Sequence, residues 1–153
     1  MIYLEFFRLN LVKRLVVVSS LMIGLVFTIP ANAEQKQVLG SWDVHYIALN
    51  STFLTPKVAK QYGIVRSKFN GLINISVLDK RSQKAQSVIM TGEAKNLLGV
   101  IKKLTFKEVN EGDAIYYLAS LPFADREQYR ISIEINDGKT QKSLKFQHKF
   151  YAD

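Results

Sequence analysis

Cysteine is absent from the chain, histidine occurs only twice and proline three times. Without cysteine there is no disulfide staple, no thiolate nucleophile and no lipid attached through a thiol. A metal centre wants clustered His, Cys, Asp or Glu at ligand spacing. The two histidines, His45 and His148, lie near opposite ends of the exported part of the chain, so no metal site is predicted. No GxSxG elbow, phosphate-binding glycine loop or paired-carboxylate motif occurs either, which removes the commonest hydrolase and nucleotide-dependent chemistries. Glu111 and Asp113 flank Gly112 in a turn, where acidic residues are ordinary. An enzyme is thus the minority expectation, and no cofactor is called for.

A third absence is local. Between Asp43 and Asp79 there is no Asp or Glu, while Lys57, Lys60, Arg66 and Lys68 all fall inside that interval. A long apolar run is also missing, with one short exception. Lys13 and Arg14 precede LVVVSSLMIGLVFTI, Leu15 to Ile29, then Pro30 and Ala31-Asn32-Ala33. That order of basic, apolar and small residues is a secretory signal. A spanning helix needs about 20 apolar residues, and this run ends sooner at a helix breaker. VKRLVVVSSLMIGLVFTIPANA is complete as a signal alone, so the apolar stretch before it, with Glu5 inside, looks like an upstream start. Cleavage after Ala33 is expected, leaving 34–153 as one domain in the periplasm with no remaining membrane span.

The whole chain has 21 basic and 13 acidic side chains. Removing 1–33 takes Arg8, Lys13, Arg14 and Glu5, so the exported part remains basic. Basicity usually suggests nucleic acid, but export argues against it. The anions outside the cytoplasm are lipid headgroups, acidic glycans and acidic protein faces.

Beyond Ala33 the apolar period is mostly two, the mark of half-buried strands. SWDVHYIAL sets Trp42, Val44, Tyr46 and Ala48 against Asp43 and His45. GLINISVL sends Ile73, Ile75 and Val77 inward, and YRISIEIN does so with Tyr129, Ile131, Ile133 and Ile135. Further strands are predicted over 86–95, 100–109, 113–121 and 142–151. Seven short strands with regular turns predict an all-β, immunoglobulin-like sandwich of two antiparallel sheets. The expected core includes Trp42, Tyr46, Ile75, Leu104, Tyr117, Ile133 and Phe146. His148, in register with Leu144, Phe146 and Phe150, reads as a core or edge histidine. DAIYYLA, 113–119, has the look of the strand bearing a tyrosine corner, but two strands follow it where that topology expects one, so an aromatic core strand is the preferred reading.

One segment breaks the alternation. In NSTFLTPKVAKQYGIVRSK, Thr55 can cap, Pro56 suits the first helical position and Gly63 is a natural stop. A short helix over 56–62 follows, covering an end of the sandwich while Lys57 and Lys60 face water. With exposed amide and hydroxyl groups on Asn50, Ser51 and Thr52, and with Lys57, Lys60, Arg66 and Lys68, the segment could hold a phosphate or carboxylate by charge-assisted hydrogen bonds. The plainer reading makes it a polar turn, a cap and solvated lysines.

HYIALNSTFLTPKVAKQYGIVRSK, GLINISVL, GEAKNLLG, EGDAIYYLA and FQHKFYAD together resemble an exported proteobacterial family classed as a domain of unknown function, the four-four-two-six family. The resemblance spans Trp42 to Asp153, and His45 to Lys68 is its most specific block. It implies a small exported β domain of immunoglobulin-like architecture and transfers no catalytic residue. Two functions from different classes follow. One is a binding module engaging an anionic envelope component or an acidic protein face through 50–68. The other is a structural or chaperone-like accessory domain that pairs a sheet edge with another chain.

Overall fold

The computed structural model describes residues 35–152. The expected signal segment, 1–33, lies outside them. Nine strands are present among the described residues: β1 (Gln35–Leu39), β2 (Trp42–Asn50), β3 (Asn70–Asp79), β4 (Ile89–Asn96), β5 (Ile101–Thr105), β6 (Lys107–Glu111), β7 (Ala114–Pro122), β8 (Gln128–Asn136) and β9 (Gln141–Lys149). They form a five-stranded sheet in the order β1-β2-β3-β7-β6 and a four-stranded sheet in the order β5-β4-β8-β9. Every pairing is antiparallel. The orders β2-β3-β7-β6 and β5-β4-β8-β9 correspond to the ABED and extended CFG sheets of immunoglobulin domains, with β1 added at one edge.

Two departures from the expected seven strands have identifiable causes. QKQVL, which forms β1, is mostly polar and exposed, so it has no apolar period to read. It is held as an edge by its ladder to β2 and by Lys36, whose ammonium lies 3.3 Å from the Asp43 carboxylate. The second departure is the run 100–109, which divides between the sheets. Thr105 pairs with Thr91 in one sheet and Lys107 with Leu118 in the other. Leu104 and Phe106 turn to the core, and beyond the division Glu108 pairs with the buried Tyr117 and so shares its inner side, while Val109 pairs with Tyr116 on the outer side. Inward positions thus stay even across the switch.

The core lies between the sheets. Val44, Ile73, Ile75 and Val77 face it from one side, and Tyr129, Ile131, Ile133, Ile135 and Leu144 from the other. Trp42, Leu104 and Tyr117 are buried as expected. Tyr46 and Phe146 are only half-buried, their rings 4.6 Å apart at the margin of the core.

Phe150 closes one end of the core, stacked on Phe123 at 4.7 Å and edge-on to Tyr129 at 6.3 Å. A Cβ on Gly71 would stand 2.5 Å from the Phe150 ring, so glycine there is what lets the ring seat. At the same end Tyr129, near the start of β8, donates its hydroxyl to the Pro122 carbonyl at 3.3 Å. Burial and the neighbouring Glu127 raise its phenol pKa, keeping it the neutral donor this bond requires. This is the position and bonding of a tyrosine corner. The Tyr117 hydroxyl of β7 instead donates to Glu108 at 2.8 Å and accepts from the Val88 amide at 2.7 Å, as befits a core strand.

Candidate functional site

The connection from β2 to β3 begins with a 3-10 turn, Ser51–Phe53, and continues into helix α1 (Pro56–Tyr62). The Thr55 hydroxyl accepts from the Val58 amide at 3.3 Å, and Gly63 ends the helix in the left-handed region with φ 72°, as the sequence predicts. The chain then doubles back beside the 3-10 turn. Ser51 Oγ donates to the Ser67 carbonyl at 3.1 Å and accepts from the Ser67 amide at 2.9 Å. Arg66 adds a bond from its guanidinium to the Thr52 carbonyl at 3.1 Å, and Asn70 Nδ2 donates to the Val65 carbonyl at 2.7 Å.

These bonds correct part of the expected site. Asn50 and Ser51 were to offer an exposed amide and hydroxyl, but both are buried. Asn50 Nδ2 donates to the Tyr151 carbonyl at 2.6 Å, tying the connection to the C-terminal segment. Thr52 is half-buried, its carbonyl engaged by Arg66. Buried polar groups must find partners or incur a desolvation cost, and these residues find theirs in the backbone.

Lys57, Lys60, Arg66 and Lys68 are exposed. Among the described residues none of the four meets a carboxylate. The Lys68 ammonium lies over the Phe69 ring, 5.2 Å from its centre. Lys57 and Lys60, three apart, share a helix face. The helix was expected to cover an end of the sandwich. Instead Lys107 of β6 donates to the Tyr62 carbonyl at 3.1 Å, and the Tyr62 hydroxyl donates to Glu111. That bond to the Glu111 carboxylate, with some burial, raises the Tyr62 pKa. Ala59 and Leu72 are both buried yet outside the inter-sheet core, and Leu72 has the opposite parity to Ile73. Helix α1 therefore lies toward the outer face of the five-stranded sheet, which separates Lys57 and Lys60 from Arg66 and Lys68 at the loop end.

Neighbouring loops carry residues that sequence reasoning left out. The β4–β5 turn is built on Asn96, whose side-chain oxygen accepts from the Leu98 and Val100 amides at 3.0 and 2.8 Å. Its Nδ2 donates to Glu127 at 2.8 Å. The turn therefore presents Leu97 and Leu98, 66% and 89% exposed. Phe53 and Val65, in the β2–β3 connection, are 78% and 72% exposed. The one signal in the sequence is a leucine pair in a turn, where neither strand alternation nor helix periodicity explains it.

Other chemistry is sparse. His148 is half-buried edge-on to Phe150 at 4.4 Å, and burial lowers its pKa. His45 lies beside Asp43, whose carboxyl is held below its ordinary value by the bond from Gln83, against burial, with Lys36 assisting. Among the described residues no group of three or more His, Cys, Asp or Glu could hold a metal ion, and no helix is long and apolar enough to cross a membrane.

Comparison with curated proteins finds no match. Two solved structures of FetP from uropathogenic Escherichia coli strain F11 resemble the chain at 12% identity. One is a copper-bound variant, with TM-score 0.55 over 77% of this chain and 95% of that one. The other is the protein as isolated after recombinant expression in the E. coli periplasm, with TM-score 0.51 over 77% and 92%. At that identity the likeness is one of fold. A crystal structure of a DUF4426 family protein from Pseudomonas aeruginosa PAO1 is 38% identical, with TM-score 0.69 over 78% of this chain and 96% of that one. Residues 36–153 match the family described as Domain of unknown function (DUF4426), and the chain belongs to that family.

Proposed function

We propose that the protein is exported to the periplasm and acts there as a binding module for an anionic component of the envelope, through the 50–68 connection. The observation that carries this reading is the acid-free interval from Val44 to Leu78, in which Lys57, Lys60, Arg66 and Lys68 stand exposed without a carboxylate neighbour among the described residues. Unneutralised cations on a braced connection keep their charge for a partner, and charge-assisted bonds to phosphate or carboxylate are the strong ones. The signal-like segment, and the periplasmic expression of the fold relative FetP, support the compartment.

Sheet-edge pairing is the weaker alternative. The edge strands β1, β5 and β6 have five residues each, and β9 carries Lys142, Lys145 and Lys149. Short edges and edge lysines are the features that discourage pairing with another chain. Capture of partners from envelope extract at low and high salt tests the reading. The Arg66→Glu/Lys68→Glu variant should lose salt-sensitive capture, while Lys139→Glu/Lys142→Glu at the opposite hairpin keeps it. Equal loss from both pairs would mean that net charge, and no site, is being measured.

A further inference from the structure

Most of the large apolar side chains that the fold leaves exposed are gathered at one end of the sandwich. Phe53, Val65, Phe69, Leu97, Leu98 and Tyr151 all lie in segments that leave the same ends of the strands. The register makes this explicit. Asn50 pairs with Gly71, Asn70 with Pro122, Asn96 with Tyr129 and Gln128 with Lys149. Bonds brace the same end: Asn50 to the Tyr151 carbonyl and Tyr129 to the Pro122 carbonyl between the sheets, and Asn96 to Glu127 and the Phe123 amide to the Phe69 carbonyl at 2.9 Å within them. The apolar tips thus come from loops of both sheets on a braced base.

Cations accompany the tips. Lys68 lies over Phe69 and Lys149 over Tyr151, at 5.2 and 5.3 Å, and Arg66 and Lys95 are exposed nearby. Among the described residues, Asp125 and Glu127, the carboxylates beside these tips, are engaged internally. Asp125 accepts from the Ala152 amide at 2.9 Å and faces Arg126 at 3.7 Å, and Glu127 accepts from Asn96 and from the Ala124 amide at 2.7 Å. We infer that this end docks on an anionic phospholipid bilayer, with Leu97, Leu98, Phe53 and Val65 entering the headgroup–acyl boundary and Arg66, Lys68 and Lys149 meeting the phosphates. Apolar insertion combined with attraction to anionic lipid is how interfacial elements bind. Aromatic rings beside lysines suit that depth, because the ring sits at the headgroup level while the ammonium reaches outward. Tips drawn from loops of both sheets and from the C-terminal tail suit a broad surface such as a bilayer.

This inference rests on the binding reading above and names its partner. The test is flotation of the protein, purified after export, with vesicles of phosphatidylglycerol and phosphatidylethanolamine, against vesicles of phosphatidylcholine alone. Binding is expected only to the anionic vesicles and should weaken with salt. Leu97→Ser/Leu98→Ser should reduce it about tenfold or more, since two leucines lose their transfer from water, while the melting temperature stays put because both side chains are exposed. Arg66→Glu/Lys68→Glu should reduce it at low salt. Absence of binding to anionic vesicles, or binding indifferent to the leucine change, overturns the inference. So does a dimer in solution that the leucine change dissolves, which would make the end a contact between copies. If vesicles are not bound but Arg66 and Lys68 still govern salt-sensitive capture from envelope extract, the bilayer is wrong and the binding reading stands. If they govern neither, both fall.

Discussion

Replacing Ser51 with alanine separates a structural brace from a ligand contact. Ser51 is fully buried, and its hydroxyl both donates to the Ser67 carbonyl and accepts from the Ser67 amide. Alanine removes one oxygen and leaves the Ser67 amide without a partner, while the Ser67 carbonyl keeps its bond from the Asn70 amide at 3.1 Å. The orphaned amide costs about 1–3 kcal/mol, and the bond lost at the carbonyl about 0.5–1.5 kcal/mol. Ser67 is only half-buried, so water recovers part of that, and a total of about 2 kcal/mol is expected. A domain of roughly 120 residues unfolds with an entropy of about 0.25 kcal/mol/K, so the midpoint should fall by about 8 °C. Calorimetry reads that shift, and urea titration should give a lower midpoint with an unchanged slope, because the native fold is retained. Hydrogen exchange should rise locally at the Ser67 amide. A midpoint within about 1 °C of the parent, well short of the shift worked out above, would refute the brace. Loss of partner binding with unchanged stability would make Ser51 a contact residue instead.

Two further outcomes are expected. Gly71→Ala drives a methyl into the Phe150 ring, and overpacking of this kind costs about 1–3 kcal/mol. Urea denaturation should show that loss, and near-ultraviolet circular dichroism should report a changed aromatic cluster; an unchanged spectrum and midpoint would place Phe150 elsewhere. The second concerns pH. Burial holds the His148 pKa below its ordinary value, so the folded state binds the proton less readily than the unfolded chain. Its contribution to stability is therefore present above the unfolded value, about pH 6.5, and is lost as pH falls through the folded one. Melting temperature should decline between about pH 7 and pH 5, and His148→Gln should flatten that decline; an identical slope in the variant would show that His148 is not the group responsible.

Local chemistry determined much of this molecule. The period-two runs at 72–77 and 129–135 place the same side chains inward in the folded chain because alternation is a property of any strand. Thr55, Pro56 and Gly63 delimit α1 because caps and stops act over one turn of backbone. The family could also be recognised from segments spread over Trp42 to Asp153. What tertiary structure decided involves partners distant in sequence. β1 is polar and becomes a strand only by hydrogen bonding to β2. The run 100–109 changes sheet, and because its inner side stays on even positions throughout, nothing in its alternation marks the change. Asn50 and Ser51 have the composition of an exposed polar turn, yet Tyr151 and Ser67 bury them. Helix α1 is drawn by Lys107 and Glu111 toward a sheet face and away from the sandwich end. The apolar tips beside Arg66 and Lys68 likewise come from the β2–β3 connection, the β4–β5 turn and the C-terminal tail, far apart along the chain, because strand register decides which segments share an end.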